Sequence, residues 1–211
     1  MATIQHKDIA DADRHEPKGA STATAGSMPI SNGDTTTTFR KVNFADMGTK
    51  PVANGYLPVL TSSSTAASQQ PSGTNVALQV EFGPLQNQTD ASLSAAGALT
   101  FNTAGYYQVT AFFRFGRTSG AGTAIMFNRV KLNGSQFLNS NSISVADSAD
   151  IIPFSATLNF KVNAGDVLTY EIMRDSAGIN NGGLFQTIPS AGGWNNSPSA
   201  TIIVSKLQAL S

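Results

Sequence analysis

The stretch Ile151-Ile-Pro-Phe-Ser-Ala-Thr-Leu-Asn-Phe-Lys-Val162 decides the fold. Ile152, Phe154, Ala156, Leu158, Phe160 and Val162 fall on one side of a period of two, and Ser155, Thr157, Asn159 and Lys161 on the other. Successive side chains of a strand point to opposite faces, so this is a β-strand with one dry and one wet face. The same period spreads outward in both directions. Downstream, Ala164-Gly-Asp166 turns the chain into Val167–Arg174, and Ala200–Leu207 is apolar on both faces at Ile202, Ile203 and Val204, as a central strand is. Upstream, Thr123–Leu132 runs into Asn133-Gly134, a pair suited to the positive φ of a tight hairpin. Tyr106–Phe115 places Tyr107, Val109, Ala111, Phe113 and Phe115 together, Leu99–Phe101 precedes a turn at Asn102–Gly105, and Val76–Phe82 alternates at Val76, Leu78, Val80 and Phe82. No segment carries a sustained i, i+3, i+4 stripe. The chain is predicted to be all-β, a sandwich or a closed barrel.

Composition narrows the chemistry. Of 211 residues, 13 are Lys or Arg and 13 Asp or Glu, so the net charge is zero and charged residues make up only 12%. Such a chain has no electrostatic footprint for a nucleic-acid backbone or an anionic membrane, and neither partner is expected. With no cysteine, disulfides, thiol nucleophiles and thiolate metal sites are excluded. The two histidines, His6 and His15, both lie near the start, away from the β-patterned body. Neither a cofactor nor a metal site is expected. The polar opening Met1-Ala-Thr-Ile-Gln-His-Lys-Asp has no apolar core of a secretory signal, so cytoplasmic synthesis is expected.

The chain divides before the strands begin. Residues 1–50 hold six basic (Lys7, Arg14, Lys18, Arg40, Lys41, Lys50) and six acidic side chains (Asp8, Asp11, Asp13, Glu16, Asp34, Asp46), with breakers from Pro17 to Pro58. Residues 1–60 are expected to form an extended arm that orders only against a partner. Residues 61–75, which include Thr61-Ser-Ser-Ser-Thr-Ala-Ala-Ser-Gln-Gln-Pro-Ser-Gly73, are expected to be a flexible linker, and residues 76–211 the folded domain.

One strand carries a further signal. The second face of Tyr106–Phe115 holds Tyr106, Gln108, Thr110, Phe112 and Arg114, two aromatics where a monomer would meet water. Tyr106 and Phe112 are expected in a contact between subunits, or else beneath a loop of their own chain.

Four strings then resemble a known family. Phe101-Asn-Thr-Ala-Gly-Tyr-Tyr-Gln-Val109 resembles the F-x-x-x-G-x-Y-x-V strand of complement-type globular heads, which belong to the tumour necrosis factor-like family. Leu132-Asn-Gly134, Leu158 to Leu168 with its Gly165-Asp166, and the closing Thr201–Leu207 resemble later motifs of that family in the same order. The resemblance implies an antiparallel jelly-roll β-sandwich assembling as a homotrimer, preceded here by an extended arm of low regularity. The opening is similar to something else. Ile4-Gln-His-Lys-Asp-Ile9 and His15-Glu-Pro-Lys-Gly19 resemble the start of small tailed-phage virion proteins, in which such a string precedes a variable outer domain.

Together these resemblances imply a virion structural protein: a homotrimeric capsid decoration, cement or head-fibre protein, held to the major capsid protein or another virion protein by Ile4, Ile9, His15, Glu16, Pro17, Lys18 and Gly19, with Met28 a further apolar anchor. It would sit on the virion after assembly in the host cytoplasm. The alternative is a tail fibre or spike that binds a host-surface glycan through the loops Arg117–Gly122 and Ile179–Asn196, with Phe185 and Trp194 as the receptor surface. The lone Trp194 could equally plug the end of the sandwich. An enzyme is not expected. Of the carboxylates Glu81, Asp90, Asp147, Asp150, Asp166, Glu171 and Asp175, the Asp147/Asp150 pair and Asp166 read best as turn residues.

Overall fold

The computed structural model describes residues 27–31, 37–40, 59–118 and 120–209. The chain forms two compact units, Met1–Tyr56 and Leu57–Ser211. In the first, β1 (Met28–Ser31) and β2 (Thr37–Arg40) make an antiparallel hairpin with Met28 opposite Arg40. Ile4, Ile9, His15, Glu16, Pro17, Lys18 and Gly19 lie outside the described residues.

In the second unit every regular element among the described residues is a strand. They are β3 (Leu60–Ser63), β4 (Ser68–Gln69), β5 (Ala77–Gln79), β6 (Gln86–Asn87), β7 (Ala91–Leu93), β8 (Leu99–Phe101), β9 (Gly105–Arg117) and β10 (Ala124–Leu132). After them come β11 (Ser135–Gln136), β12 (Asn141–Val145), β13 (Ile152–Val162), β14 (Val167–Arg174), β15 (Gly182–Phe185) and β16 (Ala200–Ala209). One sheet runs β3-β16-β9-β13, with β15 and β4 extending its β16 side. The other is centred on β14 and β10, with β12 outside β10, and β5 and β8 sharing the far side of β14. The chain changes sheet between β4 and β5, β8 and β9, β9 and β10, β12 and β13, β13 and β14, and β14 and β15, which is the winding of an antiparallel jelly roll.

The core lies between the sheets. Phe113 is buried at its centre, its ring 5.5 Å from Tyr170, 6.0 Å from Phe82 and 6.2 Å from both Phe115 and Phe154. A second cluster joins Phe101 to Tyr107 at 4.8 Å and to Phe160 at 5.7 Å. Truncating one such Phe to Ala removes about 3–5 kcal/mol.

The turns that resemble family motifs bind one another. Asn133 takes φ 51° and Gly134 φ 81°, the conformation a tight hairpin demands. The Asn133 side chain accepts from Val167 N at 2.8 Å and donates to Asp166 Oδ1 at 2.8 Å, while Asp166 Oδ2 accepts from Asn163 N at 2.8 Å. The β10–β11 turn and the β13–β14 turn are thereby clamped together.

Two expectations are corrected. Residues 61–75 are not a linker: β3 pairs with β16, β4 pairs with β15, and Ser62, Ser64 and Gln69 are buried. Gln69 replaces missing ladder bonds, accepting from Glu81 N at 2.7 Å and donating to Glu81 O at 3.0 Å. Ser64 and Gln69, buried and hydrogen-bonded in this way, explain why a Ser/Gln-rich string can be structural. The compact unit therefore begins at Leu57 rather than at residue 76. The Val76–Phe82 strand is also shorter than its alternation suggests: β5 covers only Ala77–Gln79, and Val76 is exposed while Val80 and Phe82 are buried.

Candidate assembly and recognition surfaces

Residues directly opposite in an antiparallel ladder share a face. The outer face of the β3-β16-β9-β13 sheet is therefore a set of rows. Arg114 stands beside Pro153; next come Ser155, Phe112, Thr201 and Ser63; then Thr157, Thr110, Ile203 and Thr61; then Asn159, Gln108 and Ser205; and finally Lys161 beside Tyr106. Charge appears in these rows only at the two ends, at Arg114 and Lys161. Six of the polar side chains between them pair with each other. Ser63 Oγ meets Thr201 Oγ1 at 2.9 Å, Thr110 Oγ1 meets Thr157 Oγ1 at 3.1 Å, and Gln108 Nε2 donates to Asn159 Oδ1 at 3.1 Å. Groups already hydrogen-bonded sideways lose less when water is removed above them.

Tyr106 and Phe112 stand on this face, 44% and 43% exposed, uncovered by any described loop. Phe112 borders a groove of about 490 Å³ together with Arg114, Pro153, Ser155, Pro198 and Thr201. Ile202 and Val204 are buried, whereas Ile203, on the other face of the strand, is only partly buried and belongs to this outer face.

A second surface was not legible in the sequence. β13 pairs with β9 along its whole length, and among the described residues no strand pairs with its other side. Phe154, Leu158 and Phe160 are only partly buried along that open edge. Exposed Phe137 lies 5.4 Å from Phe160, with exposed Leu138 next to it. The signal was an apolar Phe137-Leu138 pair in a Ser/Asn-rich stretch without period, which gave no indication of where it would lie.

The two expected tip loops do meet. Thr118 N donates to Asn181 O at 2.9 Å and Asn181 Nδ2 to Thr118 O at 2.9 Å. Two buried arginines brace this end. Arg117, 8% exposed, donates to Gly120 O at 2.6 Å and Ala146 O at 2.8 Å. Arg174, 6% exposed, donates to Gly182 O at 2.6 Å, Asn180 Oδ1 at 2.7 Å and Gln70 Oε1 at 3.0 Å. These partners are neutral oxygens, and burial lowers the Arg174 pKa from its ordinary value.

Phe185 and Trp194 have different settings. Phe185 ends β15, partly buried against Gly116, where an added Cβ would come within 2.9 Å of its ring. Trp194 is 77% exposed, so it does not plug the sandwich. It rides on a loop closed by reciprocal 2.9 Å bonds between Thr187 and Ser197, with Ile188, 67% exposed, on the same loop. Arg114 braces the stem by donating to Thr187 Oγ1 at 2.6 Å.

The carboxylates serve turns and ion pairs. Asp147 Oδ1 accepts from Ala149 N at 2.9 Å and Asp175 Oδ1 from Ala177 N at 2.7 Å. Asp90 Oδ1 lies 2.8 Å from Lys206 Nζ, and Glu171 lies between Arg129 at 2.6 Å and Lys131 at 3.0 Å. Asp150 and Glu81 are exposed. Among the described residues no three of His, Asp or Glu gather as a metal ion would require.

No family model and no curated protein matches the chain. Among solved structures it is similar to the Eiger TNF of S. frugiperda, at 12% identity and a TM-score of 0.44, over 74% of this chain and 96% of that one. The strand order and winding, taken by themselves, make the second unit an antiparallel jelly-roll β-sandwich.

Proposed function

We propose that the chain is a self-assembling structural protein of a virus particle, a homotrimeric decoration or head-fibre protein tethered to the shell through its N-terminal segment. The observation that carries the assembly part is the outer sheet face: uncharged in its middle rows, with six of its polar side chains already paired and Tyr106 and Phe112 standing out of it. The open edge at Phe137, Leu138 and Phe160 is a separate apolar surface. Two different sticky surfaces on one subunit favour a head-to-tail contact, and such contacts are satisfied without waste only when the ring closes. Three subunits is the number that the resemblance to complement-type heads implies. The virion part rests on the resemblance of Ile4–Gly19 to tailed-phage openings. A trimer also multiplies weak tether contacts on a lattice with local three-fold positions.

Light scattering on the full chain tests the assembly, with a trimer expected. Phe112→Arg on the face and Leu138→Arg on the edge should each give monomers. Mixing those two variants should give dimers, because one intact face then meets one intact edge. A monomeric parent chain would end the proposal. Removal of residues 1–56 should leave the trimer but abolish binding to purified capsids that lack this protein.

The second reading, a fibre or spike that binds a glycan, is favoured by one observation, the exposure of Trp194.

A further inference from the structure

The groove beside Phe112 and the loop carrying Trp194 share one end of the sandwich. Pro198, just past the loop's closing pair, is itself a groove wall, and Arg114 both lines the groove and holds the loop stem through Thr187. The loop is closed at its base by the Thr187–Ser197 pair yet leaves Trp194 and Ile188 largely in water. A rigid stem with an exposed indole is what an anchor residue looks like before it docks.

We infer that Trp194 of one copy seats in the Phe112 groove of the next. The inference rests on the self-assembly reading and adds the residue that locks it. Three observations select this occupant. The groove has an apolar rim of Phe112, Pro153 and Pro198, and its volume of about 490 Å³ accommodates an indole with room for a neighbouring side chain. Its cation is Arg114, whose Nε is buried without a hydrogen-bond partner and whose guanidinium can lie against an aromatic face. Residues 186–198 contain no charged side chain, so the loop brings no ion that the groove would have to desolvate.

The chain has a single tryptophan, so its fluorescence reports this site alone. In the full-length protein, dilution through the dissociation of the oligomer should shift the emission to the red and open Trp194 to acrylamide quenching, in step with the mass measured by light scattering. Trp194→Ala and Phe112→Ala should each weaken association roughly 30-fold, the scale of an anchor residue, and the double variant should be little worse than either alone. An oligomer in which Trp194 remains fully quenchable overturns the inference while leaving self-assembly intact, and passes the loop to the glycan reading. A monomer at every concentration overturns both. Additive effects of the two substitutions overturn the inference too, because they place the residues in separate contacts.

Discussion

Tyr107 and Tyr170 both bury their rings, yet their hydroxyls meet opposite surroundings. The Tyr107 hydroxyl lies 2.9 Å from Thr103 Oγ1, 3.0 Å from Thr103 O and 3.1 Å from Asp90 O, in a cluster completed by Lys206. Burial raises its pKa, with Thr103 and Lys206 opposing. The Tyr170 ring packs on Phe82 and Phe113, its hydroxyl is buried with no partner, and burial alone raises its pKa. Tyr107→Phe should therefore lower the denaturant-derived stability by about 1–2 kcal/mol, while Tyr170→Phe should leave it unchanged or raise it by about 1 kcal/mol. Glu171 supplies a pH signature at the same scale. Burial pushes its pKa up, but hydrogen bonds and charge from Lys131 and Arg129 outweigh this and hold it below the ordinary carboxylate value. A carboxylate depressed in the folded state contributes stability that is present above its unfolded pKa and is lost as the pH falls through the folded value. Glu171→Gln should flatten that acid limb in unfolding curves and have its largest effect near neutral pH.

Among the elements, β3 and β4 make the sharpest test. A chain beginning at Leu57 retains both and should unfold cooperatively. One beginning at Val76 loses the partner of β16 and the Gln69 bonds, and should be markedly less stable or unable to fold, as circular dichroism melts will show. The same elements show what the residues disclose on their own. The alternation of β13, β9 and β14, and the Asn133-Gly134 turn, are properties of neighbours in sequence, and the fold class follows from them. β3 and β4 are short, and their ordering depends on Gln69 finding Glu81 and Ser199, and on Ser199 finding Ala66 O. Such long-range pairing leaves no local period to read. The candidate surfaces divide likewise. Tyr106 and Phe112 are given by strand parity, whereas the Phe137 edge and the Arg114–Thr187 brace arise only when distant segments meet.

On the scale of the whole molecule, stability and assembly are linked. A contact available only to folded subunits adds to the unfolding free energy by mass action, so the melting temperature should rise with protein concentration. The Phe112→Arg variant should lose that dependence, which calorimetry at two well-separated concentrations will reveal. The free edge of β13 has one more effect, on how the protein must be produced. Among the described residues no strand covers the second side of β13, so its peptide groups are open to any extended polypeptide nearby, guarded chiefly by Pro153 near one end and Lys161 near the other. If the ring proposed above forms, newly made chains are in a race between its closure and indiscriminate strand capture. Variants that slow closure should accumulate in inclusion bodies even when each head is as stable as the parent, and a second lysine placed midway along β13, at Thr157, should restore soluble yield without restoring the ring.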